Sequence, residues 1–287
     1  MRPIAIAGPE TRHHFLGDLG LALEIGQNSV SGSLILVPEL CLPGDQRVRT
    51  GVLCTIADVV AGRLAAIHTA PRLAVTTNLS CVVHGHPPSD RMVARARILK
   101  AGRTTIVTET SYYPSTGPTE AGVASGAVFA TCFTSFMSSA RPGDVLPPIG
   151  APRIPIGGRG VPTLSAPILT RVGCIEVAPG VLEAPLTADV ANSAGFLQGG
   201  AVALMADGAA QSAVDCSHNL RGSVVQLDVR YLDALRVGPV RSSVQLVSRA
   251  NTGDSWWRVE LRDVGNQNRL GTVALARHQV THPQLPA

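Results

Sequence analysis

The chain has 287 residues, of which 45% are hydrophobic and 15% charged, and its formal net charge is +4. This composition is enough for one large or two ordinary cores and excludes a disordered chain. Lys100 is the only lysine and the arginines are scattered, which excludes a continuous basic surface for nucleic acid. We expect no leader, because no N-terminal segment combines a basic start, an apolar core and a small-residue cleavage site. We expect no membrane partner, because no apolar run reaches the roughly 18 residues of a span.

Cysteine usage points to a reducing compartment. The six cysteines are Cys41, Cys54, Cys81, Cys132, Cys174 and Cys216. They show neither the CxxC pattern nor the spacing of a metal site, and Cys54 and Cys132 lie within apolar patterns typical of buried thiols. The sequence therefore predicts reduced thiols, no metal, no cofactor and a cytoplasmic location.

The first half is predicted to fold as two short strands, one apolar helix and four further strands. The short strands fall within 19–37 and are joined at 26–29. The helix runs from Gly51 to Thr69 and ends before Pro71. The further strands, separated by Gly, Pro or Asp, are Ala74–Val83, Arg91–Leu99, Thr104–Tyr113 and Gly122–Phe136.

The second half repeats this order. Its short strands are predicted at Val172–Val177 and Leu182–Leu186, and its helix at Gly199–Cys216. Its further strands are Val224–Leu232, Val240–Ser248, Trp256–Asp263 and Leu270–Val280. Residues 141–167 are rich in Pro and Gly and are predicted as a linker between one domain at 1–140 and another at 168–287.

Both apolar helices contain an aspartate at the same place. Asp58 follows Gly51 by seven residues, Asp207 follows Gly200 by seven, and the two acids lie 149 positions apart. A carboxylate in an apolar helix is costly unless something uses it, and its repetition argues against accident. Each half thus predicts an α+β unit, a long apolar helix wrapped by a curved antiparallel sheet. Two such units would pair sheet to sheet as a covalent pseudo-dimer.

The sequence NSAGFLQGGAVALMAD at 192–207 resembles a known signature. It is similar to the N-x-x-G-x-x-H-G-G-x(6)-D pattern of hotdog-fold acyl-CoA thioesterases of the phenylacetate-pathway type, within the 4-hydroxybenzoyl-CoA thioesterase-like superfamily. Gln198 stands where that family usually has His. The first half resembles the family more weakly: it keeps Gly51 and Asp58, but Arg49-Thr50 replaces His-Gly and no Asn lies upstream.

The resemblance implies a tandem hotdog enzyme that hydrolyses acyl-CoA, with a site shared between the two halves. In that arrangement Asn192 and the backbone N–H groups of Gly199 and Gly200 polarise the thioester carbonyl at a helix N-terminus. Asp58 acts as general base or as nucleophile, two roles that the sequence leaves open, and Thr76 positions water.

The reciprocal site implied by the same pairing is incomplete. Thr50 and Gly51 would face Asp207 and Val224, without the Asn, one glycine and the hydroxyl. We therefore predict one composite site per chain with Asp58 as the principal acid. Asp207 is retained as a second candidate acid, and Gln198, Thr50 and Gly51 are candidate substrate contacts. The resemblance also implies a dimer of double-hotdog chains.

Each candidate also has a structural interpretation. Asp58 or Asp207 could cap the opposing loop, and Asn192 could be a turn residue. The two glycines could serve close packing only, and Thr76 could be an ordinary strand residue. The histidines are assigned no catalytic role: His13 and His14 lie in the N-terminal segment, His68 ends the first helix, and His84 and His86 lie in a loop.

Three functions stay open at this point. Hydrolysis of an acyl-CoA thioester is the leading one. A hotdog hydratase or dehydratase would need a catalytic His beside its acid, and the sequence places none next to Asp58 or Asp207. A hotdog protein that binds acyl-CoA without hydrolysing it is the third, favoured by Gln198 and by the incomplete second site.

Overall fold

The computed structural model describes residues 14–26, 28–87, 89–116, 123–124, 126–139, 160–218 and 222–280. The first half contains α1 (Phe15–Asp18), β1 (Ala22–Ile25), β2 (Ser29–Ile35), α2 (Thr50–Thr69), β3 (Ala74–Val83), β4 (Arg91–Ala101), β5 (Thr105–Thr116), β6 (Val123–Ala124) and β7 (Ala130–Ser138). The second contains α3 (Ile168–Arg171), β8 (Ile175–Ala178), β9 (Val181–Ala184), α4 (Gly199–His218), β10 (Gly222–Tyr231), β11 (Val240–Arg249), β12 (Ser255–Asp263) and β13 (Arg269–Val280).

The predicted elements correspond to these with two main corrections, both at glycines. The single strand predicted at Gly122–Phe136 is wrong: β6 and β7 are separate, and Gly126 between them has a φ of 79°. The strand predicted from Val172 is also wrong in its start. Residues 168–171 form α3, and Gly173, again at a φ of 79°, precedes β8. This left-handed backbone cannot continue a strand, so each glycine sets a chain reversal.

The two halves form one continuous sheet with a near-symmetric strand order. That order is β1-β2-β4-β5-β7-β3 in the first half, followed by β10-β13-β12-β11-β9-β8 in the second, and β6 pairs with β5. The halves join through β3 and β10, which run antiparallel with Ser80 opposite Asp228 and Leu79 opposite Val229. This arrangement agrees with the predicted α+β fold of two similar units paired as a covalent pseudo-dimer.

Helices α2 and α4 lie side by side on the inner face of this sheet. Helix α2 is apolar on most of its circumference because its own sheet covers one side and α4 another; Leu53, Ile56, Val60 and Leu64 are completely buried. An 18-residue stretch of α2 has a mean hydropathy of 1.6, so by length and composition this helix could also span a membrane. However, 78% of this stretch is buried inside the fold. It is the core helix of the first hotdog unit.

The end of the predicted linker returns to the first half. Ile35 donates its N–H to the carbonyl of Gly160 at 2.8 Å, and Thr163 donates to Asp18 at 2.9 Å. The Arg171 guanidinium then pairs with the Asp18 carboxylate at 2.6 Å. The rest of the predicted linker lies outside the described residues, and the domain boundaries at 140 and 168 stay a prediction.

Candidate active site

The Asp58 carboxylate lies where α2 meets the N-terminus of α4. The Thr76 hydroxyl, from β3 of the same half, donates to Asp58 Oδ1 at 2.7 Å. The Gln198 amide, from the other half, donates through Nε2 to Oδ2 at 2.7 Å. The Gly200 backbone N–H donates to the same carboxylate. Both halves therefore contribute donors to this one acid.

Gln198 is held in position by the helix that it precedes. Its Oε1 accepts the Ala201 N–H at 3.1 Å, which caps the first turn of α4. Because one end of the amide is fixed on the helix, the Nε2 end is directed at Asp58. Gln198 is 7% exposed, so this contact is shielded from bulk water.

Thr76 lies beside an irregularity in its strand. The pairing of β3 with β7 shifts between Thr76 and Asn78, so Thr77 is the extra residue of a bulge. A bulge changes the direction of the neighbouring side chains and is frequent next to functional sites. In β10 the register shifts at the matching place, between Val224 and Gln226, but Val224 offers no hydroxyl.

Burial dominates the acidity of Asp58. It raises the pKa of the Asp58 carboxyl from 3.8 to about 6, while hydrogen bonds from Thr76, Gln198 and Gly200 act in the opposite direction. An acid with a pKa near 6 is largely ionised at neutral pH and still basic enough to take a proton. This combination is suited to general base catalysis.

The glycines at the start of α4 permit the close approach of the two helices. A Cβ on Gly199 would come 2.9 Å from Asp58 Oδ2, and one on Gly200 would come 2.6 Å from Thr55 Cγ2. The Thr55 hydroxyl lies within hydrogen-bond distance of two carbonyls, that of Gly51 at 2.8 Å and that of Gly200 at 3.1 Å. The two glycines therefore serve close packing of the helices and also lie beside the acid, so a role in packing does not conflict with a role at the site.

Asn192 shapes the loop before α4. Its Oδ1 accepts the N–H groups of Ala194 at 3.0 Å and Phe196 at 3.1 Å. This is the turn interpretation that the sequence left open. His14 holds the same loop from the first half, since its Nε2 lies 3.1 Å from the Ala191 carbonyl oxygen.

Asp207, the second candidate acid, has a different environment. It pairs with the Arg49 guanidinium at 3.3 Å, with side-chain exposures of 2% for Asp207 and 9% for Arg49. Burial raises the pKa of the Asp207 carboxyl, and the Arg49 charge and the Gly51 N–H counteract this rise. Arg49 occupies the position that Gln198 has in the other half, immediately before the helix. Asp207 is therefore the acid of a buried ion pair.

The two candidate substrate contacts beside Asp207 are buried in the same arrangement. The Thr50 hydroxyl donates to the Val224 carbonyl at 2.5 Å. A Cβ on Gly51 would come 2.9 Å from the Asp207 Cβ. The structure thus brings Thr50, Gly51, Asp207 and Val224 together, with Arg49 paired to the acid.

Sequence reasoning missed three residues near these sites. Arg49 was noted only as a departure from the signature, and Tyr231, whose hydroxyl donates to the Gly199 carbonyl at 2.9 Å, was not noted at all. A tyrosine at the end of a strand was the available signal, since a buried Tyr hydroxyl needs a partner. His14, assigned to the N-terminal segment, is 2% exposed and caps α1. His13 lies outside the described residues.

A surface cleft and a group of buried thiols are separate from the hydrogen bonds of Asp58. Among the residues described, no group of three or more His, Cys, Asp or Glu side chains is placed to hold a metal ion. A surface cleft of about 680 Å³ is lined by residues 38–39, 42–46 and 165–167, none of which contacts Asp58. Cys54, Cys81 and Cys132 are buried free thiols, as the apolar pattern predicted for Cys54 and Cys132.

Comparison with known proteins agrees with this architecture. Residues 48–121 match the family model of the thioesterase superfamily. A search of curated protein sequences gave no match. Several solved structures are similar along nearly the whole chain. A putative thioesterase II from Thermobifida fusca is 17% identical, with a TM-score of 0.62 and coverage of 96% of this chain and 100% of that one.

Two mycobacterial structures are also similar along nearly the whole chain. The tesB protein from Mycobacterium avium subspecies paratuberculosis is 14% identical, with a TM-score of 0.61 and coverage of 95% of this chain and 100% of that one. The acyl-CoA thioesterase II TesB2 from Mycobacterium marinum is 11% identical, with a TM-score of 0.58 and coverage of 94% and 99%.

By fold the chain is a double-hotdog protein, and residues 48–121 match the thioesterase superfamily model. The resemblance stated from the sequence, the tandem hotdog fold and the thioester hydrolase class are confirmed at this level. The roles of individual residues go beyond what this similarity shows.

Proposed function

We propose that the chain hydrolyses acyl-CoA thioesters at one composite site around Asp58. The main support is the buried Asp58 carboxylate, with a pKa of about 6, which accepts hydrogen bonds from Thr76 in one half and Gln198 in the other. The names of the similar mycobacterial structures, which include an acyl-CoA thioesterase II, favour the same substrate class.

Asp58 acts in this proposal as a general base. Thr76 uses its hydrogen on Asp58, so its oxygen lone pairs can accept from a water molecule, and Gln198 has a second amide hydrogen for the same water. Asp58 takes a proton from this water while the oxygen bonds to the thioester carbon. Breakage of the carbon–sulfur bond releases the thiolate of CoA, which recovers the proton from Asp58.

General base action is preferred over direct attack because both Asp58 oxygens already accept hydrogen bonds. Oδ1 is bonded to Thr76 and Oδ2 to Gln198. Donors that hold both oxygens lower the nucleophilicity of the carboxylate and fix it at a distance from the substrate. The same donors leave it able to accept a proton from a bound water.

The thioester oxygen is assigned to the Gly199 N–H. The Gly200 N–H is used by Asp58, and the Ala201 N–H by Gln198. Within the described part of the chain, the Gly199 N–H has no protein acceptor, and it lies at the positive end of a 20-residue helix. A backbone donor there can stabilise the negative charge that develops on the carbonyl oxygen. Asn192 supports this site by shaping the loop that leads to it.

A thiol-release assay with short, long and aromatic acyl-CoAs tests the activity. Wild-type protein is expected to release CoA from at least one of them. Asp58→Asn should lower kcat by at least about 100-fold, the usual size of a general base contribution. Binding of acyl-CoA without release by the wild type would instead support the binding protein, and hydration of an enoyl-CoA would support the hydratase. Among the described residues no histidine bonds to Asp58, which counts against the hydratase.

The assembly is proposed to be a dimer of chains that meet through the outer face of the sheet. Phe133 and Leu275 are 44% and 41% exposed there. They flank the central pair of Ser80 and Asp228, each one strand further out. Two large apolar side chains at symmetric positions on an open face favour burial by a second copy.

The free thiols in the described residues support the cytoplasmic location proposed from the sequence.

Light scattering tests the dimer. Wild-type protein should have twice the 29.8 kDa mass of one chain. Phe133→Ser with Leu275→Ser should lower the mass toward one chain, while Leu99→Ser, which removes another exposed apolar side chain, should not. A monomeric wild type would contradict the proposal.

A further inference from the structure

Tyr231 ends β10 and reaches the first turn of α4. Its hydroxyl donates to the Gly199 carbonyl at 2.9 Å. The ring is half-buried, and the Asp58 charge lies close enough to act on the hydroxyl. No role in the proposed reaction has been assigned to this contact so far.

The contact acts on the peptide group that also binds Asp58. The Gly199 carbonyl and the Gly200 N–H belong to one planar peptide unit. This unit accepts a hydrogen bond from Tyr231 on one edge and donates one to Asp58 on the other. Hydrogen bonds on opposite edges of an amide polarise each other, so each strengthens the other.

Two successive glycines need such support. Gly199 and Gly200 have no side chains, and glycine has the largest conformational freedom of any residue. The Gln198 amide fixes Ala201, one residue further along, and Tyr231 fixes the Gly199–Gly200 peptide itself. Without the hydroxyl, only the backbone hydrogen bonds of the first turn of α4 hold this peptide next to Asp58.

The other half lacks the corresponding hydroxyl. Val83 is the tenth residue of β3 as Tyr231 is the tenth of β10, and both strands end there. The half that has Tyr231 is the half whose helix N-terminus meets Asp58. The half with Val83 leads to the ion pair of Arg49 and Asp207. The hydroxyl thus occurs only where the proposed reaction needs an ordered peptide.

We propose that Tyr231 is a positioning residue that holds the Gly200 N–H on Asp58 and thereby keeps this carboxylate in place as the base of the proposed hydrolysis. This inference rests on the proposed function for its second part. Its first part, the hydrogen bond on Asp58, exists in the free protein and is measurable without turnover.

Tyr231→Phe removes the hydroxyl and keeps the ring. The loss of one hydrogen bond to the peptide is expected to lower kcat about tenfold and to leave KM nearly unchanged. A weaker Gly200 bond stabilises the carboxylate less, so the pKa of Asp58 should rise. Tyr113→Phe is the matched control, because Tyr113 lies beside Arg95 on a strand away from the site and should change neither quantity.

The titration of the Asp58 side-chain carbon, followed by carbon-13 NMR in both proteins, decides the first part without any substrate. A higher pKa in Tyr231→Phe, with no change in Tyr113→Phe, supports the positioning role. An unchanged Asp58 titration together with unchanged kcat overturns it. If the wild type hydrolyses no acyl-CoA, the proposed function fails, and the titration still decides whether Tyr231 acts on Asp58.

Discussion

At the scale of single residues, the environment of each acid decides what it does. Asp58 faces neutral donors from Thr76 and Gln198, so its charge stays available as a base. Asp207 faces the Arg49 guanidinium, which neutralises it. The choice between glutamine and arginine in front of the opposing helix therefore separates a candidate catalytic acid from a structural one.

The pH dependence of hydrolysis tests the state of Asp58. Because the carboxyl has a pKa of about 6, protonation below that pH removes the base. The apparent kcat/KM should fall on the acid side with a midpoint near pH 6, measured between about pH 3.5 and 8.5. An acid limb near pH 4, the value of an ordinary aspartate, would contradict the burial of this group.

The Asp207 ion pair predicts a loss of stability when one partner is removed. Asp207→Asn leaves the Arg49 charge buried without its counterion, which should lower the free energy of unfolding by about 3 kcal/mol. Urea denaturation measures this loss. Arg49→Gln combined with Asp207→Asn leaves no unpaired charge and should lower the free energy of unfolding clearly less. Equal losses of stability in the two proteins would show that the loss in Asp207→Asn does not come from an unpaired Arg49 charge.

At the scale of elements, the contact of α2 with the N-terminus of α4 positions the site. The period of the apolar residues predicted both helices, and alternation predicted most strands. The breaks at Gly126 and Gly173 were missed because a positive φ leaves no mark in the apolar pattern. The contacts of Arg49 with Asp207 and of Tyr231 with Gly199 join residues distant in sequence, and only the packing of the elements determines them.

Gly199→Ala tests the approach of the two helices. The added methyl group would lie 2.9 Å from Asp58 Oδ2, so the carboxylate must move and kcat should fall by about 100-fold or more. Thermal unfolding and thiol release measure the two effects. Gly62→Ala is the control on α2, because its methyl group would make an ordinary 3.7 Å contact with Phe136 and should leave activity intact. Full activity in Gly199→Ala would contradict the proposed geometry.

At the scale of the whole molecule, one chain contains two copies of the hotdog unit that have diverged. The repeat of the Gly–Asp spacing was enough to predict two similar units, and the resemblance to the thioesterase signature implied that the first-half acid pairs with the second-half glycines. Neither was enough to show that Gln198 bonds to Asp58, since that contact depends on the Ala201 N–H, which donates to the other end of the Gln198 amide. Covalent linkage fixes each half in one role, so one interface can bind substrate while the other stabilises the pair.

The most direct test of a single composite site compares kcat/KM for the best acyl-CoA in three proteins. These are the wild type, Asp58→Asn, and the double variant Arg49→Gln with Asp207→Asn. The account predicts that Asp58→Asn loses at least about 100-fold in kcat/KM and that the double variant stays within a few-fold of the wild type. Full activity in Asp58→Asn, with loss in a folded double variant, would place the chemistry at Asp207 and contradict the account.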